Sequence, residues 1–215
     1  TGRIRWVSVP RRTIVTPSVQ GRVISYTGHL WGDVRLNELR TGAATQLRSE
    51  VRRLVHRGAA GLVLDLRDDP GGYLDEAVRV ASAFLDRGVV VSLQGAHTQP
   101  NVFHAGGGKA TRLPLVVLVD RATASSAEVV AAALRDNKRA LVVGQRTYGK
   151  ALVQSIDPLG NGAALELTVA HYYTPSGADI SRVGIAPDVR AVDRPRTPAD
   201  EALAAALQVL ARPTS

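Results

Sequence analysis

The chain has 215 residues, of which 45% are hydrophobic and 21% charged, a composition that fits one globular domain with a substantial core. Cysteine is absent, which excludes disulfide frameworks, thiol nucleophiles and zinc–thiolate sites. The apolar runs, such as 113–119, are far shorter than the roughly 20 residues that a transmembrane helix needs. Methionine is absent too, so we expect residues upstream of Thr1, which leaves room for a signal peptide or an anchor.

The net charge is +8, and three of the 27 basic residues are lysine, so arginine accounts for 24. A basic chain raises the question of nucleic-acid binding. The arginines, however, are spread along the whole sequence and form no stripe interleaved with aromatic residues. We therefore expect a solvated, arginine-rich surface and no nucleic-acid partner.

Up to residue 93 the sequence predicts short strands followed by alternating helices and strands. Prolines and a glycine separate the first β segments, apolar spacing indicates the helices, and an unbroken apolar run indicates a strand buried on both faces. The predicted strands are 4–9, 13–15, 23–25, 32–36, 61–66 and 89–93, and the predicted helices are 42–55 and 74–85.

The second half continues the alternation. Residues 94–112 are polar and glycine-rich and predict a loop or hairpin without a core of its own. Buried strands are predicted at 115–119 and 140–143, with a helix at 127–134 between them, and a strand pair at 152–156 and 163–170. Thr197, with a proline after it, is a predicted N-cap for a helix that ends near Leu210.

This order predicts an α/β fold with a largely parallel central sheet. We find no internal repeat and no linker that divides it. The expected organisation is one domain, with N-terminal β segments over 1–30, an αβ core over 31–192 and a C-terminal helix within 193–215.

Two loops follow buried strands, where ligand sites of such sheets usually lie. In the segment 67–72, a glycine pair lets backbone N–H groups approach a ligand closely. In 120–126, two serines precede a helix, beside free N–H groups and the positive end of its dipole. Together these loops could form a nucleophile and an oxyanion hole, although a tight turn and an ordinary serine cap explain the same pattern.

A serine nucleophile needs a base. The five histidines are scattered and form no recognisable Ser-His-Asp set, and the Gly-x-Ser-x-Gly and Ser-x-x-Lys motifs are absent. Lysine can act as a base where burial lowers its pKa, which arginine cannot do. Lys150 follows a buried strand and a Tyr-Gly pair, so it is better placed for desolvation than Lys109 or Lys138.

Several ordered motifs resemble the catalytic core of the carboxyl-terminal processing (tail-specific) serine proteases. They span about residues 20–190 and lie at 61–67, 70–72, 123–129, 135–140, 143–150, 153–154, 173–177 and 184–188. The resemblance implies a crotonase-like αβ core with an extended substrate peptide beside a strand.

The family's lysine lies 25 residues after its serine, and counting back from Lys150 gives Ser125. The resemblance thus implies that Ser125 attacks the peptide carbonyl, Lys150 is the base and Gln154 holds the lysine amine. It implies an oxyanion hole from the N–H groups of Ser126 and Gly71, with supporting roles for the residues Gly72 and Asp136. It implies no cofactor and no metal.

The sequence departs from the family in four respects. The adjacent serine stands at Ser126, so the Ser125 assignment rests on register, and Ala151 stands where glycine is common. Asp68 and Asp69 replace the more usual asparagines before the glycine loop, which adds negative charge near the oxyanion site. Members normally carry an upstream PDZ domain that captures the substrate's C-terminus, and nothing in the sequence indicates one. Because 13–19 resembles the segment that follows a PDZ domain, that domain is either trimmed or natively absent.

The leading interpretation is a cofactor-free serine endopeptidase of the Ser–Lys type, located outside the cytoplasm. Its expected partners are protein or peptide substrates, with an activating or adaptor protein and a homo-oligomer left open. The first alternative is a catalytically silent peptide-binding or assembly module of the same fold. A crotonase-like acyl-CoA enzyme is the other, because that fold also builds oxyanion holes from backbone N–H groups.

Overall fold

The computed structural model describes residues 5, 7–8, 17–95, 99–194 and 199–212. The described elements number ten strands and four helices. The strands are β1 (Val19–Tyr26), β2 (His29–Leu36), β3 (Leu62–Asp65), β4 (Val89–Gln94), β5 (Asn101–His104), β6 (Leu115–Val119), β7 (Leu141–Gly144), β8 (Leu152–Pro158), β9 (Ala164–Tyr173) and β10 (Val189–Arg190). The helices are α1 (Ala43–His56), α2 (Leu74–Ala81), α3 (Ser126–Asp136) and α4 (Glu201–Leu210).

A six-stranded sheet forms the centre, in the order β1-β2-β3-β6-β7-β10. Its pairings are parallel except that of β1 with β2. Strands β3 and β6 lie in its middle and are buried along their whole length, because apolar side chains on both of their faces meet a layer of helix. Their carboxyl ends are neighbours, which brings the loops 66–73 and 120–125 together.

The two faces of this sheet have separate cores. In β3, the side chains of Leu62 and Leu64 join the core beneath helices α1, α2 and α3, whereas Val63 points to the opposite face. On that face, α4 packs against β6 and β7 through its alanines and leucines. The alternation follows from the two-residue period of a strand.

A second sheet has four strands in the order β5-β4-β9-β8, all antiparallel. The α/β class expected from the sequence is confirmed, but the expectation of one largely parallel sheet was incomplete. It describes the six-stranded sheet. The strand pair expected at 152–156 and 163–170 belongs to the antiparallel sheet, where it is joined by β4 and β5. The pairing of β4 with β9 joins residues almost 80 positions apart in the sequence, and short-range periodicity carries no information on such contacts.

Several predicted boundaries shift by a few residues. Strand β2 begins at His29, before the predicted 32, and helix α2 ends at Ala81 rather than near Leu85. Ser82 closes α2 by donating its hydroxyl hydrogen to the Val78 carbonyl oxygen at 2.7 Å. Part of the predicted loop 94–112 is strand β5. The β segments predicted at 4–9 and 13–15, and the cap Thr197, lie outside the described residues. Asp200 instead caps α4, its carboxylate accepting from the Leu203 N–H at 2.8 Å.

Candidate active site

The loop after β6 delivers Ser125 to the amino end of α3. Asp120 and Thr123 shape this loop: Thr123 donates its hydroxyl hydrogen to the Leu66 carbonyl oxygen at 2.8 Å, and Asp120 accepts the Asp68 N–H at 3.1 Å. The Ala124 N–H donates to the carbonyl oxygen of Asp69 at 2.9 Å. These bonds cross between the two adjacent loops, so the serine loop and the glycine loop form one unit.

Ser125 has φ 55° and ψ −125°, a backbone conformation that is sparsely populated for residues other than glycine. Its side chain is half-buried, whereas the neighbouring Ser126 is 3% exposed and its hydroxyl has no hydrogen-bond partner within the described part of the chain. Of the two adjacent serines, Ser125 is therefore the one that a substrate can reach.

Glu128 connects the serine to the segment that carries the lysine. It is completely buried in the first turn of α3. Its Oε2 accepts the backbone N–H of Ser125 and that of Lys150, both at 2.9 Å, and its Oε1 accepts the Gly149 N–H at 2.8 Å and the Thr147 hydroxyl. One carboxylate thus fixes the main chain of the candidate nucleophile and of the candidate base.

Tyr172, near the end of β9, supports the same pair from the other side. Its hydroxyl donates to the Ser125 carbonyl oxygen at 2.8 Å and also to the Lys150 carbonyl oxygen. Burial raises the pKa of Tyr172, and the negative charge of Glu128 raises it further. The phenol therefore keeps the hydrogen that it donates.

The glycine loop lies against the serine. Gly71 has φ +97°, and a Cβ on it would lie 2.9 Å from the Ser125 Cβ and from the Ser126 nitrogen. On Gly72, with φ +147°, a Cβ would lie 2.4 Å from the Leu39 carbonyl oxygen. Neither position has space for a side chain, because backbone and Ser125 atoms occupy it.

The N–H group of Gly71, which the resemblance assigns to the oxyanion hole, donates to Asp69 Oδ1 at 2.8 Å. Asp69 is completely buried, and its Oδ2 has no hydrogen-bond partner among the residues that the structure describes. Burial raises the pKa of Asp69 to about 7; the bond from Gly71 lowers it and the charge of Glu38 raises it. The Ser126 N–H lies at the first turn of α3, where helix N–H groups have no intrahelical acceptor.

Lys150 and Gln154 differ in how closely they approach this centre. The Lys150 main chain is held beside Ser125 and its side chain is half-buried, but no hydrogen bond joins its amine to the Ser125 hydroxyl in the described part of the chain. Gln154 lies on the edge strand β8, opposite Thr168, next to an irregularity in the β8–β9 register. Its side chain is exposed and forms no hydrogen bond with Lys150 within the described ranges.

Asp136 lies at the opposite end of α3 from Ser126, about 15 Å along the helix axis. Its carboxylate accepts the N–H and the hydroxyl of Ser176 at 3.1 and 2.8 Å. Burial raises the pKa of Asp136. The hydrogen bonds from Ser176 and from the Arg135 side chain outweigh that effect, so the pKa is lowered. The residue anchors the turn 174–177 and does not touch the serine.

Glu128 and Tyr172 had no role in the sequence-based assignment. A glutamate three residues after a helix-capping serine is a capping-box signal, so its contact with the Ser125 N–H was accessible from the sequence. Its bonds to 147–150 were not, because they depend on how β7 and α3 pack. Within the described ranges, no group of three or more His, Cys, Asp or Glu side chains could hold a metal ion. No described helix is both long and apolar enough to cross a membrane.

Comparison with known proteins agrees with the resemblance noted in the sequence. Residues 31–191 match the family model of peptidase family S41. A carboxyl-terminal-processing protease of Picosynechococcus sp. is 40% identical over 188 residues, covering 87% of this chain and 45% of that protein. A chloroplastic C-terminal processing peptidase of Tetradesmus obliquus is 43% identical over 163 residues, covering 74% of this chain and 34% of that one.

A solved structure titled photosystem II D1 C-terminal processing protease has the same fold. It superimposes with a TM-score of 0.76 at 35% identity, over 85% of this chain and 50% of that one. The chain thus spans about half the length, or less, of the relatives that it matches. The family model and these relatives together make the chain a member of peptidase family S41.

Proposed function

We propose that the chain is a serine endopeptidase of the carboxyl-terminal processing type, which hydrolyses peptide bonds in protein substrates through Ser125 and Lys150. The observation that carries the proposal is the shared acceptor, Glu128 Oε2, which binds the main-chain N–H groups of both residues. Two residues 25 positions apart in the sequence are thereby held at one point, at the carboxyl end of the central sheet.

The reaction begins with proton transfer from the Ser125 hydroxyl to a neutral Lys150 amine. The serine oxygen attacks the peptide carbonyl, and the resulting oxyanion accepts hydrogen bonds from Ser126 and from the glycine loop, with Gly71 as the assigned donor. Lys150 then delivers the proton to the leaving amine, which leaves an acyl-enzyme. A water molecule that Lys150 deprotonates releases the second product.

The other assigned residues have indirect roles. Gln154 would orient the Lys150 amine. Glu128 and Tyr172 position the main chain of the dyad. Gly72 lets the glycine loop pass close to Leu39, and Asp136 supports the fold at the far end of α3. No step needs a metal or a cofactor.

We further propose protein or peptide substrates, in keeping with the names of relatives that process carboxyl termini. An extracytoplasmic location is also part of the proposal. The domain organisation expected from the sequence, including an upstream PDZ domain that is trimmed or absent, stays a prediction. An activating or adaptor protein and a homo-oligomer stay open as partners.

A second candidate function is a peptide-binding module without turnover. Two observations favour it: no hydrogen bond joins the described Ser125 hydroxyl and Lys150 amine, and the Gly71 N–H is bonded to Asp69. A module of this kind would bind extended peptides but leave them intact.

Cleavage of casein between pH 6 and 9 distinguishes the two functions. We expect Ser125→Ala and Lys150→Ala to abolish cleavage, and Ser126→Ala, which alters a buried neighbour of the same type, to retain most of it. Peptide binding without cleavage by the wild-type protein would favour the binding module. Cleavage that survives Ser125→Ala would overturn the mechanism.

A further inference from the structure

Asp69 is a buried carboxylate that the proposed mechanism does not use. It lies in the turn after β3, two residues before Gly71, and is completely buried. Only one of its oxygens, Oδ1, has a hydrogen-bond partner within the described residues. An ionised carboxylate in such surroundings is costly, because burial removes the water that would solvate the second oxygen.

The partner of Oδ1 is the Gly71 N–H, the group assigned to the oxyanion hole. A Cβ on Gly71 would lie 2.9 Å from the Ser125 Cβ and from the Ser126 nitrogen, so Gly71 lies next to the candidate nucleophile. When Asp69 is ionised, the bond is charge-assisted and stronger than a neutral one. The same negative charge then lies beside the place where the tetrahedral intermediate develops its own.

Among the residues that the structure describes, no cation forms an ion pair with Asp69. Glu38, beyond the end of β2, is the charged group that acts on it, and its charge is also negative. The charged side chains of the surrounding elements bind other partners: Arg67 binds Asp65 and Asp200, Asp68 binds Arg35, Glu38 binds Arg40, Asp120 binds loop N–H groups, and Glu128 binds Ser125 and Lys150. Burial and this surplus of negative charge both favour the protonated form.

We propose that Asp69 is a positioning residue of the oxyanion site that permits catalysis when protonated and opposes it when ionised. The neutral acid releases the Gly71 N–H readily to the substrate oxyanion, whereas the carboxylate holds that N–H and repels the oxyanion. The inference rests on the proposed peptidase function. It makes the enzyme most effective on the acidic side of the Asp69 transition, which lies near pH 7.

The test is the ratio of kcat/KM for Asp69→Asn to that of the wild-type chain, measured on an unstructured, fluorescence-quenched peptide from pH 5.5 to 8.5. Asparagine keeps an acceptor oxygen for Gly71 but does not ionise. pH effects that are common to both proteins cancel in the ratio. We expect the ratio to rise at least about tenfold across this range, which is less than the roughly 10²–10³-fold cost of losing one oxyanion donor completely.

The matched control is Asp68→Asn, which removes the same charge from the adjacent residue, whose side chain is 70% exposed. Its ratio to wild type should not change with pH. A ratio for Asp69→Asn that stays flat while both proteins cleave the peptide would overturn this inference and leave the proposed function intact.

A second measurement does not depend on turnover. Because the pKa of Asp69 in the folded chain is above its ordinary value of 3.8, ionisation disfavours the folded state. The wild-type protein should therefore lose stability relative to Asp69→Asn as the pH rises from about 4 to 7. A stability difference that is constant with pH would also overturn the inference. Absence of cleavage by every protein, with this titration present, would overturn the proposed function, and with it the catalytic role of Asp69.

Discussion

Arg67 and Asp200 form a bidentate ion pair across 133 positions of the sequence, with nitrogen–oxygen distances of 2.8 and 2.9 Å. Arg67 follows β3 at the base of the glycine loop, and Asp200 is the N-cap of α4. Burial lowers the pKa of the guanidinium, but the bonds to Asp65 and Asp200 outweigh it and raise that pKa. The pair therefore stays ionised, and it fastens α4 to the end of the central sheet that holds the candidate site.

Replacing Arg67 by alanine should destabilise the whole domain. The change leaves the buried Asp65 without its closest cation, and removal of one partner of a buried pair costs about 3–5 kcal/mol. Arg35 lies 3.6 Å from Asp65 and compensates part of its charge. We therefore expect a loss at the lower end of this range, about 3 kcal/mol in the free energy of unfolding measured with urea. Arg40→Ala, which breaks an exposed pair with Glu38, should leave the free energy of unfolding nearly unchanged. Equal effects of the two variants would contradict the role assigned to Arg67.

Gly71→Ala should abolish peptide cleavage. An alanine Cβ would meet Ser125 and Ser126 atoms at 2.9 Å and the Ala124 carbonyl oxygen at 2.8 Å, so either the glycine loop or the serine must move. A displacement of about 1 Å at a catalytic group can cost 10²-fold in rate, and we expect at least that loss in kcat/KM. Gly160→Ala is the matched control, because its Cβ would meet nothing within 4 Å. Full activity of Gly71→Ala would show that the loop has no part in the site.

Glu128→Gln tests the hydrogen bonds by which Glu128 joins Ser125 to the segment 147–150, called here the Glu128 clamp. Glutamine preserves the size of the side chain, but its amide NH2 cannot accept the N–H groups that now face a carboxylate oxygen. We expect kcat/KM to fall about 10²-fold and the free energy of unfolding to fall by about 1–3 kcal/mol. Glu166→Gln, on the exposed part of β9, should leave both quantities nearly unchanged. If Glu128→Gln cleaved substrate at the wild-type rate, the clamp would have no catalytic importance.

Asp136 should contribute stability in a pH-dependent way. Its pKa in the folded chain is below the ordinary value of 3.8, so its ionised form favours the folded state. The contribution is complete above about pH 5 and is lost as the pH falls through the lowered pKa. The difference in unfolding midpoint between wild type and Asp136→Asn should thus be constant from pH 5 to 8 and shrink below pH 4. A difference that grew on acidification would exclude this account.

The sequence predicted the central strands and helices well because their signals are local. The apolar run at 115–119 coincides with β6, and the serine-to-helix transition before α3 marks the loop that holds Ser125. The hairpin of β8 and β9 was also accessible, because a turn-rich segment separates two strand patterns. These features depend on residues that are close together in the sequence.

Long-range contacts were not accessible. Three features depend on loops that meet only in the folded sheet. They are the four hydrogen bonds accepted by Glu128, the contact of Tyr172 with two carbonyl oxygens and the bond from Gly71 to Asp69. The sequence did mark Asp69 as unusual and as a source of negative charge near the oxyanion site. It could not indicate that the residue is fully buried or that one of its oxygens is unpartnered.

The clamp at Glu128 has a consequence for local unfolding. The N–H groups of Ser125, Gly149 and Lys150 all donate to the Glu128 carboxylate. A movement that frees them must therefore separate α3 from the segment 149–150. Hydrogen exchange at the three amides should therefore report a single opening event with one free energy. The main-chain positions of Ser125 and Lys150 should then be gained and lost together, in one cooperative opening.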